Sequence, residues 1–151
     1  MAVTAGSVSV QDQFGTSTVT LSKPNRLCAP TNKQNEDPTA TTDPDHLKSW
    51  QDVHKRPKVL NQLIVNQFGS LLLDVTKPSF LFVPASKSLT GNPPPLAQPT
   101  VDHFQCYKVK RSRGSAKFVK QTMTIVDQFK TQTVTLKKLP EHMYTVTLTR
   151  K

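Results

Sequence analysis

Short apolar runs and polar turns alternate along this chain, and one type of turn recurs three times. The segment Asp12-Gln13-Phe14-Gly15 returns as Asn66-Gln67-Phe68-Gly69 and again as Asp127-Gln128-Phe129-Lys130. Each copy follows a short apolar run and precedes a segment in which apolar and polar residues alternate. A period of two places alternate side chains on opposite faces of a strand, so each copy predicts two antiparallel strands joined by a turn.

A longer match relates the first two copies to each other. They align without a gap over more than twenty residues at a constant offset of 54, which takes Lys23-Pro24 to Lys77-Pro78. A second match, at an offset of 57, relates residues 46–50 to residues 103–107. Matches of this kind at fixed offsets indicate an internal repeat.

The repeat divides the chain into three predicted units. Residues 1–45 form a partial unit with a polar linker, residues 46–102 a second unit with a proline-rich exit, and residues 103–151 a third, basic unit. Residues 30–45 and 84–102 are rich in Pro, Asp and Asn without apolar periodicity, so we expect mobile connections there. No segment predicts a long helix. The predicted fold class is all-β, antiparallel and sandwich-like, built from internal repeats.

Two kinds of residue are expected to anchor each turn. An Asp or Asn side chain can accept a hydrogen bond from the backbone two residues on, as expected for Asp12, Asn66 and Asp127. A phenyl ring is expected to be buried beside each turn, which assigns this role to Phe14, Phe68 and Phe129. We also expect Pro24 to end the strand before it, because proline lacks the N–H that a strand ladder needs.

The composition indicates a thin core with long connections. Hydrophobic residues make up 35% of the 151 residues, and there are twelve prolines. No run of eighteen apolar residues is present, so no membrane insertion is expected. The first six residues lack the charged start and apolar middle of a secretory signal. The chain begins partway through a repeat, which favours a piece of a longer precursor over a cytoplasmic protein.

Positive charge is concentrated in the last third of the chain. The formal net charge is +10, and the three predicted units carry −2, +3 and +9 in chain order. Tyr107 and Phe118 flank a basic run, and cations beside aromatic rings are typical of surfaces that bind nucleic acid or acidic glycans. The alternative is a solvated hairpin tip whose lysines protect a sheet edge. This predicted basic patch consists of Lys108, Lys110, Arg111, Arg113, Lys117 and Lys120.

The sequence carries no recognisable catalytic or metal-binding motif. A nucleophile elbow, a phosphate-binding loop, a His-Glu-x-x-His motif and paired carboxylates are all missing, so the sequence predicts no enzyme and no cofactor. His103, Cys106 and His142 are too few and too scattered for a closed zinc site. One Asp or Asn per turn supplies too few oxygen ligands for calcium.

Three segments of the chain match the pattern of a known module. They are residues 103–108, residues 127–129 and residues 23–30, which read His-Phe-Gln-Cys-Tyr-Lys, Asp-Gln-Phe and Lys-Pro-Asn-Arg-Leu-Cys-Ala-Pro. They resemble a bacterial tandem repeat module of unknown function with the pattern His-Leu-x-Cys-Tyr, Asp-Gln-Phe-Gly and Lys-Pro-x-Arg-Leu-Cys-x-Pro. The resemblance covers most of the chain. It implies a β-rich module of predicted secreted or surface proteins and brings no catalytic residues.

The resemblance also bears on the two cysteines. The middle unit has Ser49 and Phe82 where the module has cysteines, so both are missing from it together. This joint absence implies that the module's disulfide closes within one unit. In this chain Cys28 and Cys106 can pair with each other only if the first and third units pack together, because a disulfide needs Cα atoms within about 7 Å. A disulfide between them and two separate thiols are both open.

Two functions are compatible with the sequence. The first is a non-enzymatic structural or adhesive module of a bacterial extracellular or cell-surface protein, with further repeats or other copies of the chain as partners. The second is a polyanion-binding module that uses the basic C-terminal third. Salt-dependent binding to heparin or DNA discriminates between them.

Overall fold

The computed structural model describes residues 6–96, 98–138 and 141–150, the last range by its backbone only. Within these ranges no helix is long and apolar enough to cross a membrane. Strands β1 to β5 are Ser7–Asp12, Gly15–Cys28, Asn32–Lys33, His46–Asp52 and Val59–Asn66. Strands β6 to β10 are Gly69–Ala85, His103–Arg111, Gln121–Val126, Thr131–Leu136 and Glu141–Arg150. A short 3-10 turn, Ala40–Thr42, lies between β3 and β4.

The described strands form two antiparallel sheets, which confirms the predicted all-β, antiparallel class. The larger sheet has the order β4-β2-β1-β10-β7-β6-β5, and β4 also pairs with β6. Six strands therefore form a closed ring of hydrogen-bonded neighbours, while β5 pairs with the first half of β6 outside that ring. The smaller sheet has the order β3-β8-β9.

The two longest strands contain prolines, Pro24 in β2 and both Pro78 and Pro84 in β6. Strand β2 continues beyond Lys23-Pro24 to Cys28, so the expectation that Pro24 ends it is wrong. Register shifts lie on both sides of Pro24 in the pairing with β4, and one follows Pro78 in the pairing of β6 with β7. An irregular position tolerates proline because the ladder asks for no N–H there. Each long strand can therefore pair with different neighbours along its length.

Among the residues that the structure describes, the core contains two small apolar clusters. In one of them Val10 and Val19, from β1 and β2, pack against Leu81 of β6. Since β6 pairs with neither β1 nor β2, this contact crosses the ring. Full burial of an aliphatic side chain stabilises the fold by about 1.5–3 kcal/mol. The other cluster joins β5, β6 and β7 and consists of Ile64, Leu73, Val75, Tyr107 and Val109.

The two connections predicted from the sequence, residues 30–45 and 84–102, differ in their contacts with the rest of the structure. Residues 30–45 contain β3, which pairs with β8, and the buried Asn32 side chain accepts a hydrogen bond from the Asp37 N–H at 3.1 Å. Strand β6 extends to Ala85, two residues into the range predicted as the second connection. The described residues between β6 and β7 contain no strand.

Candidate functional site

The three Gln-Phe turns share one local hydrogen bond. In the first turn, Oδ1 of Asp12 accepts from the N–H of Phe14 at 2.8 Å. The corresponding distances from Oδ1 of Asn66 and of Asp127 are 2.9 and 2.8 Å. In the third turn Asp127 also accepts from the N–H of Lys130, and these two bonds lower the pKa of its carboxyl. These side chains stabilise turns and belong to the scaffold.

The phenyl rings of the three turns lie in different surroundings. Phe14 and Phe68 are half-buried, and Phe14 meets Tyr107 edge to face at a centroid distance of 5.5 Å. Phe129 is 63% exposed, so the expectation that all three rings are buried does not hold. Its ring lies 5.6 Å from Nζ of Lys87, outside both apolar clusters. The third turn belongs to the smaller sheet, which explains why its ring misses the core.

A buried ionic network joins the first turn to β7. Nη1 of Arg56 donates to both carboxylate oxygens of Asp12, at 3.0 and 3.1 Å, and to the hydroxyl of Tyr107 at 2.9 Å. The Tyr107 hydroxyl in turn donates to Oδ2 of Asp12. Burial, and then the hydrogen bond to Asp12, raise the pKa of Tyr107. The phenol therefore stays protonated and remains a donor, which suits a structural role.

The two cysteines are not joined by a disulfide. Cys28 ends β2, whereas Cys106 is buried in β7, and β4 and β6 lie between these strands in the ring. Burial raises the pKa of the Cys28 thiol, and the charge of Arg26 opposes this shift. The disulfide considered from the sequence is therefore not formed in the structure.

A basic cleft of about 670 Å³ lies beside the C-terminal half of β7. Its cations come from β7, from the loop that follows it and from the segment after β9. The floor is apolar, with Leu71, Leu73, Val109 and Phe118 among the lining residues. No carboxylate is among the lining residues that the structure describes. The cations of this first basic cleft are Lys108, Lys110, Arg111, Lys117, Lys137 and Lys138.

Hydrogen bonds at the rim hold the loop that forms one wall of the first basic cleft. Nη1 of Arg111 donates to the carbonyl of Ser115 at 3.0 Å, and the Ser112 hydroxyl donates to Asp74 at 2.6 Å. Asp74 lies opposite Lys110 in the pairing of β6 with β7. The Ser112 hydroxyl, the Asn61 N–H and then the nearby lysines lower the pKa of Asp74. Arg111, Ser112 and Asp74 therefore hold this rim in place, and the lysines of the cleft take no part in these hydrogen bonds.

The structure brings together only part of the basic patch predicted from the sequence. Four of its six members line the first basic cleft, whereas Arg113 and Lys120 are exposed and lie outside the lining. Lys137 and Lys138 line the cleft but were not assigned to the patch. The +9 charge of residues 103–151 already included them. The sequence alone does not show that the segment after β9 lies next to β7, because this proximity depends on the tertiary fold.

A second basic cleft of about 680 Å³ adjoins the first. Its lining includes one carboxylate, Asp52, whose side chain is fully buried. Asp52 accepts from Nδ1 of His54 at 2.6 Å and from Nε2 of Gln105 at 2.9 Å, so both carboxylate oxygens already have hydrogen-bond partners within the protein. Sequence reasoning had not singled out this cleft. Its cations are Arg26, Lys55, Arg56, Lys77 and Lys108.

The described residues contain no group of three His, Cys, Asp or Glu side chains arranged to hold a metal ion. His142, which was weighed as a zinc ligand, lies in the range described by its backbone only. No family model, curated protein or solved structure matches the chain. The arrangement of charge and apolar surface is therefore the basis for a functional proposal.

Proposed function

We propose that this chain is a non-enzymatic module that binds a linear anionic polymer, a nucleic acid or an acidic glycan, in the first basic cleft. The observation that carries the proposal is the convergence of six cations from three chain segments on one cleft. Such convergence is electrostatically unfavourable unless anions compensate it. The cleft therefore has the character of a site for a ligand that carries several negative charges.

The chemistry of the cleft favours binding over catalysis. Its described lining consists of lysines, an arginine, a threonine and apolar side chains. Protonated lysines and arginines attract phosphate or sulfate groups but offer no general base at neutral pH. The apolar floor can contact the uncharged parts of the polymer. We therefore propose that the module holds its ligand without transforming it.

Neutralising two cations of the cleft tests the proposal. In K117Q/K137Q, binding of a labelled oligothymidylate and retention on heparin should both weaken. Each lost phosphate contact reduces the steepness of the plot of log binding constant against log salt concentration by about 0.9. The loss of two cations should therefore reduce this steepness by about 2. Fluorescence anisotropy from about 50 to 200 mM salt measures this slope.

The matched control is R113Q/K120Q, which removes the same charge from exposed positions outside the cleft lining. Its salt slope should equal that of the unmodified protein. Equal losses in both double variants would show that net charge, and not the cleft, causes binding. No binding of either polymer at about 50 mM salt, where such contacts are strong, would overturn the proposed function.

We also propose that two full copies and one partial copy of one module build the closed ring. Each of the three predicted units contributes two strands, which are β1 and β2, β4 and β6, and β7 and β10. The pairing of Cys28 with Leu47 corresponds, at the offsets of 54 and 57, to the pairing of Phe82 with Phe104. Corresponding residues therefore pair in both places, which supports the repeat.

The packing of the ring supports the sandwich-like arrangement expected from the sequence. Val10 and Val19 of β1 and β2 pack across the ring on Leu81 of β6. Contacts between strands that share no hydrogen bonds are those of two facing sheets. We therefore propose a flattened ring whose opposite walls pack as the layers of a sandwich.

The edge strand β5 favours a second function, a structural or adhesive module at the surface of a bacterium. Among the described strands β5 pairs only with β6, and its Leu60, Leu63 and Val65 are more than half exposed. An unpaired edge with exposed apolar side chains is suited to pairing with another chain. Further repeats of a longer protein, or a second copy of this chain, are the partners of this role. Concentration-dependent sedimentation that L63K abolishes would support it, whereas a monomer at every concentration would not.

A further inference from the structure

We propose that the two basic clefts form one continuous track that binds a single-stranded nucleic acid longer than either cleft alone can hold. The inference rests on the proposed function and deepens it, because it names the class of polymer and the path of its backbone.

The junction of the two clefts is basic, and one lysine belongs to both. Lys108 lines both clefts. Thr76 of the first cleft and Lys77 of the second are consecutive residues of β6, and the Thr76 hydroxyl donates to the carbonyl of Lys108 at 2.9 Å. A polymer that leaves one cleft at Lys108 therefore enters the other directly.

Two like charges face each other at this junction. Lys77 of β6 lies directly opposite Lys108 of β7 in the strand pairing. Like charges in this position destabilise a sheet, and an anion between them removes the repulsion. A phosphate of the ligand placed between Lys77 and Lys108 would remove this repulsion.

Each cleft combines its cations with one half-buried phenyl ring. Phe118 is among the residues that line the first cleft, and Phe80 is among those of the second. The guanidinium of Arg26 lies 4.7 Å from the centroid of the Phe80 ring. Cations that follow a backbone, together with aromatic rings on which bases stack, are the features of sites for single-stranded nucleic acid. An acidic glycan matches the cations but offers no base to stack.

The carboxylate of the second cleft does not oppose a nucleic acid there. Asp52 has a fully buried side chain and accepts hydrogen bonds from His54 and Gln105. Arg56 is engaged by Asp12 and Arg26 lies over the Phe80 ring, which leaves Lys55, Lys77 and the shared Lys108 to face a ligand. The second cleft thus has fewer available cations than the first, so short strands should occupy the first cleft.

The length of the bound strand tests the track. Labelled oligothymidylates of about four and about twelve nucleotides are compared by anisotropy, a range that spans the usual site sizes of single-strand binders. For the longer strand, K55Q/K77Q should lower the salt slope by about 2. For the shorter strand, the same variant should leave the affinity unchanged. The control K58Q/K130Q removes the same charge outside both clefts and should change neither.

The outcomes separate this inference from the proposed function. An unchanged slope for the longer strand in K55Q/K77Q would overturn the track while leaving binding in the first cleft intact. Failure of both strands to bind the unmodified protein would instead overturn the proposed function itself. F118L should weaken oligothymidylate binding severalfold and leave heparin binding unchanged. An equal effect of F118L on both polymers, or no effect on either, would overturn the assignment to nucleic acid.

Discussion

At the scale of single residues, Arg56 makes the most consequential contacts in the described structure. It lies in the connection between β4 and β5, yet its guanidinium reaches Asp12 and the Phe14 carbonyl in the first turn and Tyr107 in β7. The side chains of Arg56 and Asp12 are 12% and 0% exposed. These contacts fix the positions of three chain segments relative to one another. Because both charges are largely removed from water, loss of either partner leaves the other charge buried and unpaired.

We therefore expect Arg56→Met to be strongly destabilising. It leaves the Asp12 carboxylate buried without its cation, which typically costs about 3–5 kcal/mol. Urea denaturation measures the change in the free energy of unfolding. Asp12→Asn in the Arg56→Met background removes the unpaired charge and keeps the turn acceptor, so the double variant should be more stable than Arg56→Met alone. A loss in Arg56→Met below about 0.5 kcal/mol, the range of ordinary surface substitutions, would contradict this account.

At the scale of elements, the last residue of each Gln-Phe turn determines how the turn closes. The β1–β2 turn ends in Gly15 at a φ of +107°, and the β5–β6 turn ends in Gly69 at a φ of +120°. Side chains with a Cβ rarely adopt this backbone conformation. Lys130 stands at the corresponding place of the third turn, where Asp127 accepts a second backbone hydrogen bond from Lys130 itself. Glycine or an extra hydrogen bond therefore closes each turn.

Gly69→Ala should destabilise the protein by about 1–2 kcal/mol, because alanine is strained at this φ. A Cβ at Gly69 would meet no heavy atom within 4 Å, so backbone strain alone is measured. Thermal unfolding followed by circular dichroism reports the loss. Gly91→Ala is the matched control, since Gly91 has equally open surroundings and no positive φ. The prediction fails if both variants unfold at the same temperature.

At the scale of the whole molecule, the smaller sheet ties the beginning of the chain to its last third. Strand β3 comes from residues 30–45 and pairs with β8, which follows the basic loop. The connection between β2 and β4 is thereby held at Asn32–Lys33 as well as at its two ends. The connection between β6 and β7 contains no strand in its described residues and exposes Leu89 and Leu96.

Limited proteolysis should therefore cut the two connections at different rates, although both were expected to be mobile. A protease of broad specificity should cut first within residues 86–96, because few described hydrogen bonds hold this segment. Residues 30–45 should be cut later, because their cleavage requires β3 to leave β8. Mass spectrometry of early fragments identifies the first site. A first cut within residues 30–45 would contradict the stabilising role of the smaller sheet.

Local features of the fold followed from the sequence because their causes are local. A period of two predicted β1 and the strand after the first turn, and an Asp or Asn followed by Phe predicted the hydrogen bonds of the three turns. The antiparallel all-β class followed from the same pattern. Pro24 misled the prediction, because a single sequence does not show that a register shift accommodates the proline inside β2.

Only the tertiary structure decided which distant residues meet. The sequence established how much positive charge the last third carries, but the pairings of β6, β7 and β10 decided that Lys108 joins two clefts. Likewise, the repeat does not place the ring of Phe129 outside the core or Arg56 beside Asp12. The physical reason is that periodicity fixes the face on which a side chain lies, whereas long-range strand pairing fixes its neighbours.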